Sequence, residues 1–401
     1  MERPLSATNG NAQGAPILIV GASVRSAAHS AVRAGLQPIC ADCFADKDLQ
    51  TVADARPVEN YPDDLPRLAG DVPHCPWMYT GALENHPRII AEISRHRPLW
   101  GNPAEVVRKI RDPFRLVEIL RASGLPAVDL CRSSRPPEPD GRWMLKPING
   151  SAGRGIRIWD ESAAGSTTLD EPHYFQQRQT GQPLSALFIA SNHDCRLIGV
   201  ARQLIGNADL HASPFTFCGA IAPIDPGHFV RDRIREYGGV LARTYGLRGL
   251  FGIDFLCDAH QLWLMEVNPR YTATVELFEH AFSIPLLEEH RRACQDATGP
   301  TPPHSDFPDR ADRLIAKAIL FADQRRIIPA VVEQFAAATP TAPLALPTIA
   351  DIPSPGTRIP TGHPICTLFA AGQTERECLR ALHHRTRAVQ QTLTETQVSR
   401  P

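Results

Sequence analysis

The stretch Gly249–Arg270, GLFGIDFLCDAHQLWLMEVNPR, decides how the rest of this 401-residue chain is read. Two short apolar segments, Leu250–Cys257 and Leu262–Val267, flank the polar turn Asp258-Ala259-His260, which is the pattern of a β-hairpin. Because side chains alternate along a strand, Leu264, Glu266 and Asn268 share one face, and Trp263, Met265 and Val267 the other. A three-residue loop pairs Asp254 with Leu264, on the face of Glu266 and diagonal to it. Three oxygen donors then lie within reach of one small hard cation, and Mg²⁺ favours carboxylate oxygens together with substrate phosphates. An edge hairpin with its acids facing water is the plainer reading of any single carboxylate. Against it, Asn268-Pro269-Arg270 continues the polar face with an amide and a guanidinium.

A second stretch lies about 100 residues earlier. Trp143–Pro147 reads as a strand that enters the loop Asn149-Gly150-Ser151-Ala152-Gly153-Arg154-Gly155 and returns as Ile156–Trp159. Its glycines let the backbone approach a ligand closely and turn N–H groups towards phosphate oxygens. This is not a Walker loop, because Lys146 precedes the glycines and a strand follows them. Only Lys47, Lys109, Lys146 and Lys317 are lysines among the 42 basic residues, so a lysine at the mouth of a glycine loop calls for a reason that a plain hairpin does not supply.

Composition sets the outer bounds. The length suffices for two or three domains with real cores, and a formal net charge of -1 gives no electrostatic footprint for nucleic acid or anionic lipid. The early apolar run Ala15–Val20 is too short for a signal or membrane segment, and the chain is read as cytoplasmic. Ten cysteines are scattered, and the lone Cys40-Ala41-Asp42-Cys43 reads as structural rather than metal-binding. Residues 1–14 read as a flexible leader.

Pro16–Gly21, the turn Ala22–Ser26, the helical run Ala27–Ala34 and the strand Leu36–Ala41 open a parallel α/β sheet. One glycine where a dinucleotide fingerprint needs three excludes a Rossmann site, although Ser23, Arg25 and Ser26 at the helix start could bind an anion as readily as cap the helix. Met78–Gly81 reads as the loop after a strand, and Asn102-Pro103 opens a helical region through Leu120. Tyr174–Gly181 follows the glycine loop, and Pro214–Pro223 could line a substrate. The helix Gly227–Tyr245 leads into the hairpin, and Arg270–Glu276 starts a further helix. Gly299–Pro308 is a linker, after which the strands Lys317–Phe321 and Ile365–Ala370 and the helix Thr374–Leu393 form a smaller region. Histidines such as His193 and His211 are read as structural.

Together, Gly-Ile-Asp-Phe at 252–255, Glu-Val-Asn-Pro-Arg at 266–270 and the lysine-glycine loop resemble the ATP-grasp superfamily of ligases, in a carboligase-like branch related to biotin carboxylase and to ligases of methanofuran and tetrahydromethanopterin synthesis. The resemblance implies an α/β fold, α+β in its centre: an N-terminal pre-ATP-grasp domain (15–102), an ATP-grasp domain (103–298, with subdomains about 103–180 and 181–298) and a C-terminal region (310–395) packed on the grasp. It makes Asp254, Glu266 and Asn268 ligands of Mg²⁺ or Mn²⁺, and Arg270 a contact for phosphate or substrate carboxylate. Lys146, Gly150, Ser151, Gly153 and Gly155 would hold the ATP phosphates, and Gln176 and Gln177 would sit at the adenine hinge, with Gln177 where an acidic ribose ligand is usual. A basic residue ahead of the Gly124-Leu125-Pro126 step would also reach phosphate, with Lys109 and Arg111 both open.

The implied activity is an ATP- and Mg-dependent carboxylate–amine ligase working through an acylphosphate on a small metabolite or cofactor precursor, for instance a one-carbon carrier. A biotin-independent carboxylase using carboxyphosphate and a non-catalytic ATP-binding regulator are the alternatives. The expected partners are a small carboxylate and an amine, with neither nucleic acid nor membrane, and a homodimer is compatible with all three readings.

Overall fold

The computed structural model describes residues 14–166, 172–192, 194–258, 261–295, 311–332, 334–335 and 345–398, and structural statements refer to these. Nearly all of the leader, the linker Gly299–Pro308 and His193 lie outside them.

The N-terminal unit is a four-stranded parallel sheet, ordered β3-β2-β1-β4, of β1 (Pro16–Val20), β2 (Gln37–Asp42), β3 (Asp54–Pro57) and β4 (Trp77–Tyr79). Met78 and Tyr79 therefore belong to a strand rather than to the loop after it, because their apolar side chains complete the core with Leu18, Val20 and Ile19. Where the sequence reads as one helix through Leu120, there are two, Ala104–Ile110 and Pro113–Ala122. The break has a local cause: Pro113 suits a first helical position, and the Asp112 carboxylate accepts from the N–H groups of Phe114 (3.0 Å) and Arg115 (3.3 Å), capping the second helix.

Next come β5 (Leu130–Arg132), β6 (Asp140–Pro147), β7 (Arg157–Asp160) and β8 (His173–Gln177), an antiparallel sheet ordered β5-β8-β6-β7. It faces a larger sheet containing β9 (Gln182–Ala190), β10 (Cys195–Ile205), β11 (Phe217–Ile224), β12 (Gly249–Cys257), β13 (Leu262–Asn268) and β14 (Leu314–Phe321). A short ribbon of β15 (Arg326–Ile327) and β17 (Arg358–Ile359) stands apart. β16 (Ile349–Ala350) and β18 (Pro364–Gly372) join the larger sheet, whose order is β13-β12-β9-β10-β11-β14-β18-β16. The C-terminal region thus adds strands to the sheet of the grasp as well as packing on it.

β9, central and nearly all apolar, is buried on both faces. Phe188 packs with Ile234 and Leu241 of the helix His228–Tyr245, and Leu187 packs with Leu277 and Phe278 of the helix Val275–Phe282. Each such side chain contributes about 1.5–3 kcal/mol. Gly238 lets the first helix seat this closely, since a Cβ there would stand 2.2 Å from the Phe188 ring. No helix among the described residues is long and apolar enough to cross a membrane.

Candidate functional site

The hairpin β12–β13 forms as the sequence reads, but its register differs. Cys257 pairs with Leu262, leaving four residues from Asp258 to Gln261 in the loop, of which Ala259 and His260 lie outside the described residues. Gln261 N–H donates to Asp258 Oδ1 at 2.8 Å and sets the turn. A bulge follows: Phe255 pairs with Leu264, Asp254 pairs with Glu266, and Met265 is the extra residue. Asp254 therefore stands directly opposite Glu266 rather than opposite Leu264.

Their surroundings fit a hard cation. Burial and the neighbouring Glu266 carboxylate push Asp254 up to about 7, while hydrogen bonds from Ser185 and Asn268 pull the other way. Gln203 Nε2 donates to Asp254 Oδ1 at 3.0 Å. Glu266 carries the Arg111 guanidinium, so a cation already sits on this carboxylate. Asn268 departs from expectation: its Nδ2 donates to Asp254 Oδ2 at 3.1 Å and its Oδ1 accepts from Arg270 Nη2 at 3.1 Å. The amide must turn over before its oxygen faces a metal beside Asp254.

Arg111, rather than Lys109, enters the site. Its Nη2 donates to Gly150 O and to Asn85 Oδ1, both at 2.9 Å, tying the glycine loop to the acidic pair, whereas Lys109 is exposed and lines no part of the cleft. The break at Asp112 separates the two, because it leaves Arg111 at the end of its helix, pointed at the loop. Lys146 reaches from β6 to Gln176 Oε1 at 3.2 Å, and Gln176 Nε2 contacts the Met265 sulfur at 3.2 Å.

Gly150, Ser151 and Gly153 line the cleft. At Gly153, with φ 78°, a Cβ would lie 1.9 Å from the Phe215 carbonyl oxygen, so only glycine fits where the loop meets the segment before β11. Gly155 is outside the lining and abuts Pro147. Gln177 also faces away, accepting from Gln179 Nε2 at 3.1 Å, and the hinge lines the cleft through Arg178–Gly181 instead.

Arg270 is held from a direction the sequence does not disclose. Its Nη2 lies 2.6 Å from Oε1 of Glu84, a residue of the N-terminal unit with only 1% of its side chain exposed, and its Nη1 donates to Tyr271 O at 3.1 Å. Glu84 pulls the guanidinium further towards its charged form, and Arg270 in turn keeps the buried Glu84 carboxyl below its usual range. Glu84, Asn85, Ser185, Gln203 and Met265 are site residues that sequence reading missed. Asn85 and Glu84 approach only when the N-terminal unit folds back over the hairpin.

Lys146 and the glycine loop on one side and Asp254, Glu266, Asn268 and Arg270 on the other line a cleft of about 490 Å³ between the two antiparallel sheets, and Arg111 and Gly150 line a smaller pocket beside it. The ATP-grasp domain family matches residues 110–274, the segment that supplies both walls. Residues 110–274 are an ATP-grasp domain.

The donor set of this domain, two facing carboxylates with an amide beside them, suits Mg²⁺. The carbamoyl phosphate synthase large chain of Beutenbergia cavernae is 27% identical over 216 residues, 48% of this chain and 19% of the relative. The chain thus spans about a fifth of the length of the curated relatives it matches. Among solved structures, biotin carboxylase from Campylobacter jejuni superposes with a TM-score of 0.65 at 15% identity, covering 90% of this chain and 89% of that one. N5-carboxyaminoimidazole synthetase from Staphylococcus aureus, complexed with ADP, gives 0.67 at 13% identity, covering 93% and 97%. These likenesses extend the ATP-grasp fold over the N-terminal sheet and the C-terminal strands.

Proposed function

We propose that this chain is an ATP- and Mg-dependent carboxylate–amine ligase that activates a small-molecule acid as an acylphosphate. The observation that carries the reading is the register of Asp254 on Glu266 across the cleft from Lys146 and the glycine loop. Mg²⁺ on the two carboxylates would offset the charge of the β- and γ-phosphates. Lys146 and the backbone of Gly150–Gly153 hold the phosphates, Arg111 moves between Glu266 and the nucleotide, and the hinge after β8 holds the base. Arg270, fixed by Glu84, orients the acid so that its carboxylate oxygen attacks the γ-phosphorus as the bond to ADP breaks. An amine then displaces phosphate from the acyl carbon and loses a proton, giving the amide. The chain need supply no nucleophile.

Calorimetric titration with Mg-ATP, followed by ADP release across panels of acids and amines with bicarbonate as a separate arm, tests this. Turnover that needs both an acid and an amine is expected, whereas bicarbonate-dependent turnover alone would favour a carboxylase. Glu266→Gln should lower turnover about 100-fold, the scale of losing one charge-stabilising group. Unchanged ADP release in that variant would remove the metal assignment.

A further inference from the structure

We infer that the acid accepted by this site is a monocarboxylate with an uncharged, largely apolar body, neither a phosphate ester nor a dicarboxylate. The inference rests on the ligase reading above and deepens it. The lining of the cleft also takes in Thr272, Ala273 and Thr274 and, from other segments, Ile205, Phe215 and Phe217. The two threonine hydroxyls bond to each other at 3.0 Å in a buried position. Among the described residues, none on this wall carries a charge.

The buried cations of the N-terminal helix and of β14 are already matched. Arg25, placed by the sequence at a potential anion turn, is 4% exposed, with Nη1 2.7 Å from Glu276 and Nε 2.9 Å from Asp351 and 3.6 Å from Asp48. Two of the turn's N–H groups are taken as well, Val24 by Asp42 Oδ2 at 3.2 Å and Ala22 by Gly81 O at 2.8 Å. Lys317 is buried against Glu276 at 2.8 Å, and Arg33 is held by Glu279. Arg178 lies on the lining but is exposed and belongs to the hinge after β8. Glu84 already pairs with Arg270, and Lys146, Arg111 and Arg270 are left for one carboxylate and the phosphates. A phosphate or second carboxylate against the phenylalanine–threonine wall would be desolvated without a counter-charge, which is strongly unfavourable. The same wall gives bicarbonate nothing to bury.

The test uses hydroxylamine as the amine, which traps any acylphosphate as a hydroxamate and removes the need to know the natural amine. The full chain with Mg-ATP is assayed for hydroxamate and ADP on matched acids: aliphatic and phenyl-bearing monocarboxylates, the same skeletons carrying a phosphate ester or second carboxylate, and bicarbonate. Monocarboxylates should exceed their charged counterparts in kcat/KM by about tenfold or more. Phe217→Lys should narrow or invert that ratio. Because that variant can fail to fold, competition of the same acids for the wild-type protein loaded with a non-hydrolysable ATP analogue gives the ranking independently. Preference for a phosphorylated acid, a diacid or bicarbonate overturns the assignment while leaving the ligase reading standing for the first two. Mg-ATP binding without ADP release on any acid overturns both.

Discussion

Two buried arginines of this protein face carboxylates under opposite conditions. Arg25 is enclosed by Glu276, Asp351 and Asp48, and Lys317 shares Glu276, so one carboxylate gathers cations from the N-terminal helix and from β14. Burial opposes the charge on Glu276, but those two cations outweigh it and hold its carboxyl far below the ordinary range. Arg270 is paired with Glu84 on one side only, its Nε has no partner, and nearby Asp254 is pushed up to about 7. In the first cluster every charged group has a close partner, and the cluster joins five segments of the chain. The second is unbalanced, as expected of a site whose remaining charges arrive with a ligand. Burial of ion pairs therefore does not mark function here; incompleteness does.

The comparison can be broken most forcefully at Glu276. Glu276→Gln strands Lys317 and removes one of the three carboxylates around Arg25, and a loss of about 3–5 kcal/mol in denaturant unfolding is expected. A stability change below about 1 kcal/mol would mean that the cluster fastens nothing.

Acid should loosen the same region. His29, beside Arg25 and Arg33, and His290, whose Nδ1 accepts from Leu250 N–H at 2.8 Å, are both pushed down to about 4, chiefly by burial. Their folded pKa values lie below the unfolded value near 6.5, so between about 4 and 6.5 the unfolded chain binds more protons. Stability is complete above that window and falls as pH drops through it, by up to about 3 kcal/mol per histidine. Thermal melts of His290→Gln, which keeps an acceptor but cannot titrate, should show a shallower fall.

Glu84→Gln sharpens the cleft side. It leaves Arg270 charged but less firmly placed, and a fall of about tenfold in kcat/KM for the acid with Mg-ATP affinity retained is expected. Equal loss of ATP affinity would make Glu84 a general structural support. Lys109→Ala should change neither ATP affinity nor stability beyond about 0.5 kcal/mol, since its charge faces solvent.

What the sequence disclosed followed from how local each signal was. Lys146 with its glycines and the acidic pair of the hairpin are short patterns whose chemistry depends on a few neighbouring residues, and the fold brings them to one cleft. The bulge at Met265 was hidden because a one-residue slip is decided by loop length and by what packs on either face. The choice between Lys109 and Arg111 depended on a helix break at Asp112 that hydrophobic spacing does not reveal. Gln177 and Gly155 were adjacent in sequence to cleft residues, but strand alternation and turn geometry aim them elsewhere. Glu84 had no local signal, for its role depends on a partner in another sheet, 186 residues later.

The pairing of β14 with β11, Ala222 with Ile315 and Gly219 with Ala318, reaches beyond topology. β11 also begins at Phe217, part of the cleft lining. A chain ending before Leu314 would leave the backbone of Gly219–Ala222 as an open sheet edge, ready to recruit a strand from another copy. The cleft and the chain from Leu314 on are therefore inherited together, and shortening this protein trades a supported cleft wall for an aggregation seed.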